Sequence, residues 1–348
     1  MTTTQTPSQN GDRNETGFQV LRRIHRPCHG ELLAVDLVDE CPCACLHCRH
    51  GRGKRSDSTP TSDRAVLNQL ATEMDRRRLK GTRPAFVVMG SDSEPFVRSS
   101  RLQHLAVEAL RILLDHHIGV SIETRGVIPD EAIEVMATHR RLVRVRVAVG
   151  SMDPEFARSW EEGTVDPDTR FFNIGRLKQA GIPVVCHLGP IIPFVNDGDG
   201  QFREVLAAAA DYHLTRVTTE IMKTWPGING VLSRHVPGVA PVIAAAYMDH
   251  SQMPPQPRNQ PPIDVRQDIY DRIRSIARRY RLHVGLCRCA DHELGTPPCN
   301  LGFGTTTRRT KQLGLFAAGQ ATKNRSRPSV QPDVAARSRT RRRTRDDK

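Results

Sequence analysis

Between residues 31 and 222 two patterns alternate along the chain. Short runs of six to nine mostly apolar residues are "ELLAVDLV" (Glu31–Val38), "AFVVMG" (Ala85–Gly90), "IGVSIET" (Ile118–Thr124), "LVRVRVAVG" (Leu142–Gly150), "VVCHLGPII" (Val184–Ile192) and "RVTTEIM" (Arg216–Met222). Each has the length and β-branched content of a strand. The segments between them place apolar residues at helical spacing: Ser62–Arg78, Ser100–His117, Pro129–His139, Asp166–Gly181 and Gly200–His213. Ser62 stands where a helix N-cap belongs, Pro129 in a first turn, and Gly181 at a C-terminus.

Strand and helix in strict alternation predict a parallel sheet covered by helices. About six such units predict an α/β fold, a partial (β/α)6 TIM-like barrel with a C-terminal extension; an open sheet is the alternative. After Met222 the alternation breaks into loop-rich sequence. A helix (Val265–Tyr280) and a strand, "RLHVGLC", follow. The expected organisation is a disordered N-terminus (1–16), a core barrel (17–222), an extension (223–315) and a basic disordered tail (316–348).

Composition changes this picture at the ends. The formal net charge is +13, and the segment Thr322–Lys348 alone holds ten Lys/Arg against three Asp. It has almost nothing apolar to bury and is expected to be disordered. It is suited to contacting phosphates, yet it lacks the aromatic residues that stack on bases. No run approaches a membrane span, and the N-terminus does not resemble a secretory signal, so a cytoplasmic protein without membrane association is expected.

Seven of the nine cysteines fall in two clusters, which suits metal ligation better than a disulfide framework. "DLVDECPCACLHCR" (Asp36–Arg49) begins where the first of the six strands ends. Cys41, Cys45 and Cys48 have the spacing C-x3-C-x2-C, with Cys43 as an extra thiol. Three thiolates on one loop suit three irons of a 4Fe-4S cluster, leaving the fourth open. A zinc site normally shows C-x2-C pairs with a matching pair downstream, which this loop lacks. A second group is Cys287, Cys289 and Cys299, with His292 nearby. A second iron–sulfur cluster, zinc, or no metal all remain open there. Cys28 and Cys186 stand alone; Cys28 reads as structural.

The spacing of Cys41, Cys45 and Cys48 at the end of a first barrel strand resembles the radical S-adenosylmethionine (SAM) superfamily. From Gly150 to Asp197 the chain further resembles the branch that includes spore photoproduct lyase, in its acidic-Gly-Thr segment, an Arg-containing helix, "AGIPV" and "PIIPFVND". The lyase uses a hydrogen-donor cysteine near the end of its second strand. Here that stretch carries Met89, so the resemblance is to the branch and not to the lyase itself.

The resemblance implies an enzyme with a 4Fe-4S cluster on Cys41, Cys45 and Cys48. The cluster would cleave SAM reductively, and the resulting 5′-deoxyadenosyl radical would abstract a hydrogen atom from a substrate. It implies SAM-side roles in "MGSDSEPF" and "IETRG" for Gly90, Asp92, Glu94, Thr124 and Arg125. Arg125 suits a carboxylate because its fork matches two oxygens. Ser151, Arg170, His187 and Asn196 are further lining candidates. An electron donor such as flavodoxin or ferredoxin is implied. The substrate is either nucleic acid or a small molecule. The competing reading is a zinc-stabilised nucleic-acid-binding protein without catalysis.

Overall fold

The computed structural model describes residues 18–50, 62–249 and 256–302. The two ends expected to be disordered, and the basic "RGKR" following the first cysteine loop, lie outside the described residues. The chain enters through β1 (Leu21–Arg26), which turns back antiparallel onto β2 (Gly30–Val35). Strand–helix alternation follows: α1 (Asp63–Leu79), β3 (Phe86–Met89), α2 (Ser100–Asp115), β4 (Gly119–Thr124), α3 (Asp130–Thr138), β5 (Val143–Ala148), α4 (Pro154–Trp160), α5 (Pro167–Gln179), β6 (Val184–Ile191), α6 (Asp199–Asp211) and β7 (Arg216–Ile221). The remaining elements are α7 (Ile228–His235), α8 (Ala240–Ala246), β8 (Met248–Asp249), β9 (Gln256–Pro257), α9 (Ile263–Arg279) and β10 (His283–Gly285).

Among the described residues the main sheet has eight strands in the order β1-β2-β3-β4-β5-β6-β7-β10. Strands β2 to β7 run parallel, as the alternation requires, and β10 joins β7 in parallel. This is a partial barrel of six parallel strands, with a hairpin strand on one edge and a late strand on the other. All of it lies in one compact unit. Short β8 and β9 pair separately. No described helix is long and apolar enough to cross a membrane.

The two faces of the sheet differ in chemistry. Val87, Met89, Val120, Ile122, Val143, Val145, Val147, Cys186, Leu188, Val217 and Ile221 form one core with the buried sides of α1, α2, α3, α5, α6 and α9. The alternate positions of β4 to β7 face away from the helices and are largely polar: Ser121, Glu123, Arg144, Arg146, His187, Thr218 and Glu220. A strand puts successive side chains on opposite faces, so "VRVRVA" in β5 serves both environments.

Caps place the helices as the sequence indicates. Ser62 Oγ accepts from Ala65 N, and Asp166 Oδ1 from Thr169 N at 2.7 Å, with Pro167 in the first turn of α5. Six elements appear where the sequence reading names none: β1, α4, α7, α8 and the short β8 and β9. Strand β1, "LRRIHR", is a polar edge strand with little buried surface to mark it. The three helices have only seven or eight residues each and start beside Pro or Gly, too short for a clear helical period.

Candidate active site

The carboxyl ends of the parallel strands carry the first cysteine group, where barrel folds place their chemistry. The loop after β2 is held by two backbone bonds, Ala44 N to Glu162 O at 2.7 Å and Leu46 N to Trp160 O at 2.9 Å. Cys41, Cys43, Cys45 and Cys48 gather with Val97 and Leu102. The fourth thiol, Cys43, lies against Cys41, and its Sγ donates to Gly163 O at 3.4 Å. Gly163 has φ +86°, and a Cβ there would come within 3.1 Å of Cys43 Cα, so this close approach requires glycine.

The surroundings differ among the other three positions. Cys41 Sγ accepts from Glu94 N at 3.4 Å, and Cys48 Sγ from His50 N at 3.3 Å. The neighbouring Cys43 thiol, against the opposing effect of burial, and the Glu94 N–H bring Cys41 down to about 7. Burial pushes Cys45 up, and the positive charge of Arg125 acts against it. Three thiols on one loop, two of them receiving N–H donors and one facing a guanidinium, fit the donor set of a 4Fe-4S cluster.

Arg125 is held by a buried charge network. Its Nε donates to Glu161 Oε1 at 3.0 Å, and Arg170 Nη1 donates to Glu161 Oε2 at 2.5 Å. Burial would raise the Glu161 carboxyl, but Arg170 and Arg125 outweigh it and bring it to about 2. His47 Nε2 lies 3.7 Å from the same carboxylate, and burial lowers His47 to about 4. Arg170 also donates to Val165 O, Ala148 O and Thr164 Oγ1, and is 1% exposed. It is therefore a post behind the site and does not line it.

The structure joins Glu94, Thr124 and Arg125. The Glu94 carboxylate accepts from Thr124 Oγ1, from Arg125 N at 2.7 Å and from Phe96 N at 3.0 Å. Three chain donors thus tie the end of β4 to the segment after β3, and the Glu94 N–H reaches Cys41. Asp92 lies apart, paired with Arg22 and 3.4 Å from His50 Nε2. Gly90 has φ +88°, and a Cβ would stand 2.0 Å from Glu123 O. Its close approach is to the neighbouring strand. Ser151 Oγ accepts from Asp153 N at 3.0 Å, in the turn from β5 to α4. Asn196 braces the turn after β6, accepting from Ile192 N and donating to Gly150 O and Pro190 O. Met89 and Cys186 face the helices within the main core.

On the polar face, sequence reasoning names His187 but passes over Arg146 and Glu220. Arg146 Nη2 pairs with Glu123 Oε1 at 2.6 Å across β5 and β4. His187 Nδ1 lies 3.0 Å from Thr218 Oγ1, and its Nε2 lies 3.3 Å from Glu220 Oε1. The field of Glu220 reaches His47, which links this wall to the cysteine loop. The alternation in β5 is the signal for Arg146; for Glu161 and Glu220 the sequence offers none. The second cysteine group also gains a member: Cys28 joins Cys287, Cys289 and Cys299.

Comparison with known proteins agrees with this geometry. The family model of the radical SAM superfamily matches residues 36–216, just over half of the chain. The uncharacterized proteins Rv2578c of Mycobacterium tuberculosis and Mb2609c of Mycobacterium bovis are each 23% identical over 252 residues, spanning 70% of this chain and 72% of theirs. Among solved structures, spore photoproduct lyase complexed with dinucleoside spore photoproduct superposes with a TM-score of 0.57 at 15% identity, over 79% of this chain and 80% of that one. A lyase mutant with bound AdoMet and the same dinucleoside gives 0.56 at 15% identity, over 78% and 79%. At such identity the likeness speaks for the fold. The chain belongs to the radical SAM superfamily.

Proposed function

We propose that this protein is an enzyme holding a 4Fe-4S cluster on Cys41, Cys45 and Cys48 and using SAM to remove a hydrogen atom from a polar substrate. The observation that carries the reading is the cysteine loop itself. Its three thiols stand at the carboxyl end of β2, backed by Arg125 and by the N–H groups of Glu94 and His50. When bound, the cluster supplies the electron that splits SAM into methionine and a 5′-deoxyadenosyl radical.

The chain's own contribution is positioning. Glu94 fixes the backbone of Arg125 and Thr124 that of Gly126, while Glu161 fixes the Arg125 side chain. Arg125 remains partly exposed and is the group we assign to the SAM carboxylate. Asp92, which pairs with Arg22 and lies beside His50, is the carboxylate we assign to the SAM ammonium, with Gly90 and Ser151 as further SAM-side positions. The polar face formed by Glu123, Arg146, His187 and Glu220 suits a substrate that presents hydrogen-bonding groups. An external reductant such as flavodoxin or ferredoxin completes the system.

Family membership does not favour a non-catalytic zinc protein. Anaerobic purification with iron and sulfide counted tests the cluster. About four irons per chain should be lost when Cys41, Cys45 and Cys48 are all replaced by Ala. The two substrate classes separate on deletion of residues 322–348: activity lost points to nucleic acid, activity kept to a small molecule.

A further inference from the structure

Cys28, Cys287, Cys289 and Cys299 come from opposite ends of the described chain, yet their four sulfurs all lie within 4.8 Å of one another. Cys28 sits in the turn between β1 and β2, and the other three follow β10. These are the two edges of the main sheet. The group packs with Ile24, Leu32, Phe86, Val88 and Leu301, apart from the first cysteine loop.

Distances distinguish between metal types. A single ion with sulfur ligands at about 2.3 Å sets neighbouring sulfurs of a regular tetrahedron about 3.8 Å apart. Cys289 Sγ and Cys299 Sγ are 3.8 Å apart, and Cys299 Sγ and Cys287 Sγ 3.9 Å. Thiolates on the corners of an iron–sulfur cube are separated by an additional iron–iron edge and stand much further apart. Among the described residues, Cys41, Cys45 and Cys48 do not form a set within 4.8 Å. The two cysteine groups thus have different spans.

The loop that carries three of these cysteines is tightly folded: Ala290 N and Asp291 N both donate to Cys287 O, at 2.9 and 3.0 Å. Gly295 is packed so closely that a Cβ would meet Asp291 O and the Cys287 carbonyl carbon at 2.4 Å. Arg266, bridging Asp291 and Glu293, pins the same loop to α9.

We propose that Cys28, Cys287, Cys289 and Cys299 bind one zinc ion in a closed tetrahedral site that staples the two edges of the open sheet together. With four protein ligands no position is left for substrate, so the site is structural. Loading releases the thiol protons and ties the β1–β2 turn to the segment after β10 through one ion. The inference is independent of the proposed radical chemistry.

The test uses the full chain, produced in zinc-supplemented medium and purified without oxygen, as wild type and as the Cys41, Cys45, Cys48 triple Ala variant. Both should carry one zinc per chain. Zinc X-ray absorption should show four sulfur neighbours at about 2.3 Å. Cys28→Ser, with three thiolates left, should release zinc to a chelator at least tenfold faster. Wild-type absorption keeps the test valid if that variant fails to fold. Four outcomes would overturn the proposal. These are iron and sulfide retained in the triple variant, a single iron in place of zinc, a zinc shell of nitrogen or oxygen, and a Cys289–Cys299 disulfide in the anaerobic protein.

Discussion

Arg125 and Arg170 share one carboxylate: Glu161 accepts from the first at 3.0 Å and from the second at 2.5 Å, and is itself 1% exposed. One buried anion thus holds the guanidinium that faces the cysteine loop and the guanidinium that anchors α5. Glu161→Gln keeps the volume and removes the charge, leaving two cations with too little compensation. Breaking a buried pair in this way costs about 3–5 kcal/mol. Urea unfolding of the variant should show a midpoint lowered accordingly, with the slope unchanged.

The same network makes stability depend on pH in a definite direction. Glu161 ionises at about 2 in the folded chain against an ordinary 4.5, so its stabilisation is complete above 4.5 and fades as pH falls towards 2. His47 is lowered to about 4 from 6.5. Between those values the unfolded chain binds more protons, so stability again falls as pH falls. The urea midpoint should therefore decline from pH 6.5 to 4, and His47→Gln should flatten that decline. A midpoint that rises on acidification over this window would contradict the assignment.

Gly90 occupies a left-handed conformation with the Glu123 carbonyl where a side chain would begin. Gly90→Ala must strain the backbone and push β4 away. Strain alone costs about 1–3 kcal/mol, and the clash adds to it. A drop in thermal midpoint together with loss of iron binding is expected, because the same segment carries the Glu94 N–H to Cys41.

Cys43 lies among the ligand candidates but donates to Gly163 O. Cys43→Ala should retain the iron content and visible spectrum of the wild type, whereas Cys41→Ala should lose both. Equal losses in the two variants would make Cys43 a ligand.

Much of this architecture is legible in the chain because it depends on local pattern. The six parallel strands, their helices and the Cys41–Cys48 spacing are contiguous signals. Leu142–Gly150 reads as a mostly apolar strand, yet Arg144 and Arg146 at alternate positions already mark a sheet with a polar second face. The partners of Arg125 and of Cys28 are not legible in this way. Glu161 follows a short helix that lacks a clear period, and Cys28 is a lone thiol whose companions lie at the far end of the chain. What joins them is the closure of the sheet, a long-range property that no window of sequence contains.

The most direct test of the central claim is SAM cleavage without oxygen. Protein reconstituted with iron and sulfide would be reduced with dithionite and given SAM. Wild type should form 5′-deoxyadenosine and methionine in equal amounts, and the Cys41, Cys45, Cys48 triple Ala variant neither. No 5′-deoxyadenosine from iron-loaded wild type, or equal amounts from the variant, would contradict the account.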